Sequence, residues 1–99
     1  MPRTAIHLLI RGRVQGVGYR AWTERAALSR GLKGWVRNRR DGSVEAVFIG
    51  SEDAIDALIE ACRSGPSGAF VESLDQRDAS PGEVRLRRGD ELFSVLATA

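Results

Sequence analysis

Residues 5 to 14 alternate, with Ile6, Leu8 and Ile10 set against His7, Leu9 and Arg11, the period of a half-buried strand. Gly12, Gly16 and Gly18 break that pattern. From Tyr19 a helical spacing takes over, with Trp22, Ala26 and Ser29 on one stripe beside Ala21, Leu28 and Leu32, and Gly31 as a stop signal. A second strand, 34 to 39, leads through Arg40, Asp41 and Gly42 into a third, 43 to 49. Asp-Gly between two such runs is a strong hairpin signal. Ser51 is placed to cap the next helix, 52 to 63, where Ile55, Leu58, Ile59 and Cys62 recur at i, i+3, i+4 and i+7 and Glu52 and Asp53 suit the positive end. Gly65, Pro66 and Gly68 end that helix. Residues 70 to 78 suit a fourth strand and the apolar run 92 to 98 a fifth, while 79 to 91 read as a polar loop.

The order β-α-β-β-α-β is the split βαβ arrangement of an α+β protein: an antiparallel sheet, both helices on one face, right-handed crossovers, and here an additional C-terminal strand. Strand one and the strand after its crossover are expected to lie near each other. The whole chain, 1–99, fits one domain, enough for a single two-layer core and too little for a second.

Composition narrows the class. A hydrophobic fraction of 42% with 28% charged residues is globular and argues against disorder. No run approaches the roughly 18 apolar residues needed to cross a bilayer, and Met-Pro-Arg-Thr lacks the order of a signal peptide, so the expectation is a cytoplasmic protein away from membranes. The lone cysteine, Cys62, forms no internal disulfide or cysteine-based zinc cluster, and on its apolar stripe it reads as a packed thiol. A net charge of +2 is too mild for bulk nucleic-acid binding. Arg11, Arg13, Arg20, Arg37, Arg39 and Arg40 all fall in the first half, so an anion site is to be sought there.

The segment Gly12-Arg13-Val14-Gln15-Gly16-Val17-Gly18-Tyr19-Arg20 runs from a strand into a helix, where free N–H groups can converge on an anion. Its glycines allow successive amides to curl into a concave nest for a phosphate or carboxylate. No Gly-Lys-Ser/Thr follows and G-x-G-x-x-G is missing, which excludes a Walker loop and a dinucleotide fingerprint. Arg20 is a cation in the first turn of a helix, where it opposes the macrodipole, and a bound anion would reverse that penalty. Its planar fork would complete a cradle of amides. The spacing alone leaves this reading level with a plain exposed arginine at a frayed helix start. Asn38, in Trp35-Val36-Arg37-Asn38-Arg39, is an unusual residue for a strand. Taken by itself it is read more simply as the start of the hairpin turn. The alternative is a carboxamide that holds a water, being donor and acceptor and never charged.

Together these segments resemble the acylphosphatase family, through residues 12 to 20, Gly-Trp-Val-Arg-Asn at 34 to 38 and Asp-Gly-Ser-Val-Glu at 41 to 45, extending through the second helix to Gly65-Pro66. The resemblance covers about two thirds of the chain and fades beyond residue 68. It implies a ferredoxin-like fold, small acyl phosphate substrates and no cofactor. It also implies that the loop amides of Gln15, Gly16, Val17, Gly18, Tyr19 and Arg20, with the Arg20 side chain, bind the phosphoryl group, and that Asn38 orients the attacking water.

Neither of the two motifs, 12 to 20 and 34 to 38, contains a His, Asp or Glu that would serve as general acid or base. A carboxylate leaves without protonation, whereas an alkoxide would need an acid or a metal, so the chemistry is confined to acyl phosphates and needs no metal. The water's proton is expected to pass to a phosphoryl oxygen. His7 and Asp41 are assigned structural roles. Inorganic phosphate or sulfate is the expected competing anion, and the protein is expected to act as a monomer. The alternatives are an inactive anion-binding domain and a nucleic-acid-binding module on the same fold. The second lacks aromatic residues, with only Phe48 on the third strand and none on the first.

Overall fold

In the computed structural model, which describes residues 3–99, the elements run β1 (Arg3–Arg13), α1 (Tyr19–Ser29), β2 (Lys33–Asn38), β3 (Val44–Ser51), α2 (Glu52–Cys62), β4 (Phe70–Asp78), a one-turn helix α3 (Pro81–Val84) and β5 (Phe93–Val95). The strands form one sheet in the order β4-β1-β3-β2-β5. Each pairing among β1 to β4 is antiparallel, but β5 lies parallel to β2, so the sheet is mixed. β1 and β2 are therefore not neighbours. The hairpin folds β3 back between them, and the site bridges from the loop after β1 across to the end of β2.

Alternation decides the faces. Leu8 and Ile10 of β1, Val36 of β2, and Val44, Ala46 and Phe48 of β3 are buried in one core with Ile55, Leu58, Ile59 and Cys62 of α2. Full burial of each large aliphatic side chain contributes about 1.5–3 kcal/mol. Phe48 stacks on Phe93 with ring centroids 6.2 Å apart, inside this core. The helix α1 buries Tyr19, Thr23 and Ala27; of the expected stripe Trp22 and Ala26 pack partly buried against the core while Ser29 and the neighbouring Leu28 are exposed, and Thr23 tolerates burial because its hydroxyl donates to the Tyr19 carbonyl (2.8 Å).

Residues 79–91 are more than a polar loop. Ser80 and Glu83 form a capping box around α3, with Pro81 in its first turn, a signal present in the sequence as Ser-Pro-x-Glu. This segment covers the second face of the sheet, where Trp35 is fully buried and its Nε1 donates to the Glu83 carbonyl (2.7 Å). The last strand is shorter than the apolar run implied, three residues in place of 92 to 98. The chain nevertheless keeps to the edge of β2: Leu96 N–H donates to the Val36 carbonyl and Ala99 N–H to the Asn38 carbonyl.

Candidate active site

The anion loop starts where β1 ends. Val14 is buried and fixes the near end, and Gly16 (φ 74°) and Gly18 (φ 81°) both adopt left-handed backbone with nothing within 4 Å of where a side chain would begin. Conformation, not space, calls for glycine at both, since a side chain in that region costs roughly 1–2 kcal/mol. Gly18 is the N-cap of α1. No side chain caps this helix and no acidic residue stands in its first turn. Its first backbone bond runs from Trp22 N–H to the Gly18 carbonyl (3.0 Å), and among the described residues no acceptor takes the N–H groups of residues 15 to 21. The other long helix has the opposite arrangement: the Ser51 hydroxyl accepts from Ala54 N–H (3.3 Å), and Glu52 and Asp53 lie in the first turn. One helix is closed by its own side chains, while the other presents free donors and the positive end of its dipole.

Arg20 is the second residue of α1 and is half-buried. Among the described residues no carboxylate stands within ion-pair distance of its guanidinium, although Arg11, Arg37, Arg39, Arg63, Arg77 and Arg88 each have one. Asn38 ends β2, its backbone paired with Val44. The hairpin turn is built without its carboxamide: the Asp41 carboxylate accepts from Ser43 N–H (2.9 Å) and from the Ser43 hydroxyl (2.6 Å), bonds that hold Asp41 below the usual carboxylate range. Asn38 lies two residues along β2 from the core residue Val36, hence on the helix side of the sheet, and lines the same cleft as the loop glycines.

Gly16, Gly18, Tyr19, Arg20 and Asn38 line one cleft of about 300 Å3, closed by Val14, Ala21, Glu24 and Val95. The two sequence motifs therefore meet. Val17 and Gln15 are not in its wall, and the side chains of Gln15 and Tyr19 act as anchors. Gln15 Nε2 donates to the Arg39 carbonyl (2.7 Å) and the Ser43 carbonyl (2.9 Å), tying the loop to the hairpin that carries Asn38. The Tyr19 hydroxyl donates to the Cys62 carbonyl at the end of α2, and burial pushes its pKa up. Sequence reading gave these two residues only their backbone amides, because their side-chain partners lie 24 to 43 positions away. The place of Val95 in the cleft was missed for the same reason, whereas that of Glu24, four residues beyond Arg20 on one helix, could have been read from the spacing. Burial likewise pushes the Cys62 thiol up to about 12, so it is a packed thiol and no nucleophile.

Among the described residues, His7, Glu45 and Glu83 stand close enough to share a metal ion, with one ligand atom from each within 4.8 Å of the others. They lie on the opposite face of the sheet from the cleft. Their charge is already met: Glu45 accepts from His7 Nε2 (2.7 Å), Arg37 Nε (2.7 Å) and Arg39 (3.1 Å), and Glu83 is held in a two-pronged pair by Arg77. Burial raises the Glu45 pKa, but the bonds from His7, Arg37 and Arg39 outweigh it and leave it lowered. We read the cluster as an ion-pair network that fixes the strand on either side of Asn38.

The acylphosphatase family model matches residues 6–88. The chain is 52% identical over 98 residues to an acylphosphatase of Bradyrhizobium diazoefficiens, covering 99% of each chain. Among solved structures it is similar to an acylphosphatase from Coxiella burnetii (TM-score 0.82, 32% identity, 95% of this chain and 93% of that one) and to one from Bacillus subtilis (TM-score 0.80, 33% identity, 93% and 97%).

Proposed function

The chain belongs to the acylphosphatase family and hydrolyses acyl phosphates, and we propose that it does so with Arg20, Asn38 and the amides of residues 15–20 as its working parts. The observation that carries this assignment is the one cleft in which an uncapped helix start, a guanidinium with no ion-pair partner among the described residues and a carboxamide unused by its own hairpin come together.

The phosphoryl group takes its equatorial oxygens to the loop N–H groups and to the fork of Arg20, which balance the charge of the in-line transition state. Asn38 holds water at the other side of phosphorus through a carbonyl that accepts a hydrogen bond from one of the water's O–H groups. Oxygen of the water bonds to phosphorus as the P–O bond to the acyl carboxylate breaks. The electron pair leaves with the carboxylate, and the water's proton passes to a phosphoryl oxygen, giving carboxylate and inorganic phosphate. No side chain in the cleft is required to give or take a proton in this scheme, which suits a carboxylate leaving group and no poorer one. Neither a metal nor another cofactor enters it, and because one chain forms the whole site, a monomer suffices. A cytoplasmic setting with small-molecule acyl phosphates as substrates fits the same reading; no described helix is long and apolar enough to cross a membrane.

The test compares benzoyl phosphate with phenyl phosphate in the presence of a chelator. Turnover of the first and not the second is expected. Loss of benzoyl phosphate hydrolysis on chelation, with recovery on adding a divalent ion, would overturn the metal-free scheme.

A further inference from the structure

The cleft contains one group for which the hydrolysis reaction, as described, has no use. Glu24 stands four residues beyond Arg20 on α1, on the same side of the helix, and lines the cleft with Arg20, Ala21 and Val95. It is half-buried, and among the described residues no cation lies within ion-pair distance of it and no hydrogen bond reaches its carboxylate. A carboxylate here is a liability to a site that must hold a phosphoryl dianion, because like charges about 4 Å apart repel by roughly 1 kcal/mol even with the screening of bulk water.

Position shows what Glu24 faces. The rise of a helix puts it about 6 Å farther from the loop amides than Arg20. With the phosphoryl group in the loop, the cleft wall farther along α1 is made by Ala21 and Glu24, with Val95 also lining the cleft, and Glu24 is its charged member. This is the space left for the acyl group. We propose that Glu24 sets acyl specificity: the cleft admits acyl phosphates whose acyl part is uncharged and small, and Glu24 rejects those bearing a second anionic group. Rejection costs the enzyme little, since the acyl group leaves as a carboxylate and repulsion at that end also speeds release of the anionic product.

This inference rests on the phosphoryl group occupying the loop, and the experiment separates the two. Butyryl phosphate and succinyl phosphate have acyl chains of equal length and differ in a methyl against a carboxylate. The ratio of their kcat/KM values is measured for the wild type, Glu24→Gln and Glu24→Lys, with thermal unfolding to confirm folded protein. The wild type is expected to prefer butyryl phosphate. Glu24→Gln should narrow the preference by about fivefold, the size expected of two unit charges several ångströms apart in a solvent-open cleft, and Glu24→Lys should narrow it further or reverse it. Raising the salt concentration should narrow the wild-type preference and leave that of Glu24→Gln unmoved. A butyryl-to-succinyl ratio within twofold of wild type in both variants contradicts the role of Glu24 while leaving the loop assignment standing. Failure of the wild type to hydrolyse either substrate contradicts both.

Discussion

Arg20 shows how a residue that looks misplaced by local rules is explained by its surroundings. At the start of a helix its charge opposes the dipole, and sequence spacing alone left two readings level. The anion-binding reading is supported by what is near: free amides on one side, an open cleft on the other, and no described acid to neutralise it. Arg20→Ala is expected to lower kcat/KM by about a hundredfold or more, the scale for losing a charge-stabilising donor, and to weaken competitive inhibition by phosphate, while the unfolding temperature stays close to that of the wild type. Arg20→Lys should recover little of this because it lacks the planar fork. Near-normal kinetics in Arg20→Ala would remove it from the site. By residue type alone Asn38 was an oddity in a strand with two readings, and its water-orienting role came from the family resemblance. Its bland explanation, the hairpin turn, weakens once Asp41 and Ser43 are seen to build that turn.

Elements were read well where one physical signal dominated. Alternation located β1, the Asp-Gly turn joined β2 to β3, and the capped amphipathic pattern placed α2 within a residue of its observed end. Reading failed where tertiary contacts decide. The parallel pairing of β5, its short length and the buried stripe of α1 depend on partners far along the chain. The missed helix α3 is the exception, because Ser80 and Glu83 had spelled out its capping box in the sequence. One link between elements joins the two halves of the proposed site: the Gln15 amide bridges the loop to two hairpin carbonyls. Gln15→Leu keeps similar bulk but loses both bonds. It is expected to lower kcat by about tenfold or more through misplacement of Asn38 relative to the loop, with a smaller change in phosphate affinity, as rapid kinetics and phosphate titration would show. Equal losses in both would instead mean that the loop itself had collapsed. The uncapped start of α1 carries a second consequence: phosphate at about 100 times its Kd should stabilise the folded protein by roughly 2.7 kcal/mol. An unfolding temperature that does not respond to phosphate would count against an anion site there.

Across the whole molecule, the two faces of the sheet divide the work. One holds the hydrophobic core and the cleft, and the other carries the Glu45 and Glu83 networks under the 79–91 segment. The pKa of Glu83 is held down to about 2, chiefly by Arg77 and by the Ser80 N–H. Lowered folded-state values mean that these carboxylates stabilise the protein above the usual carboxylate range and lose that contribution as pH falls toward 2. Wild type should therefore exceed Glu83→Gln in stability at pH 7, and the gap should close between about pH 4.5 and 2 in denaturant titrations. A gap independent of pH would show that packing of α3, not the ion pair, is what the substitution disturbs. The central claim, that water held by Asn38 attacks a phosphoryl group held elsewhere in the same cleft, is tested most directly by measuring kcat for benzoyl phosphate and Kd for phosphate on Asn38→Ala, with folding verified. The account predicts that kcat falls by about a hundredfold or more while Kd changes less than about threefold. A folded Asn38→Ala protein with near wild-type kcat would contradict it.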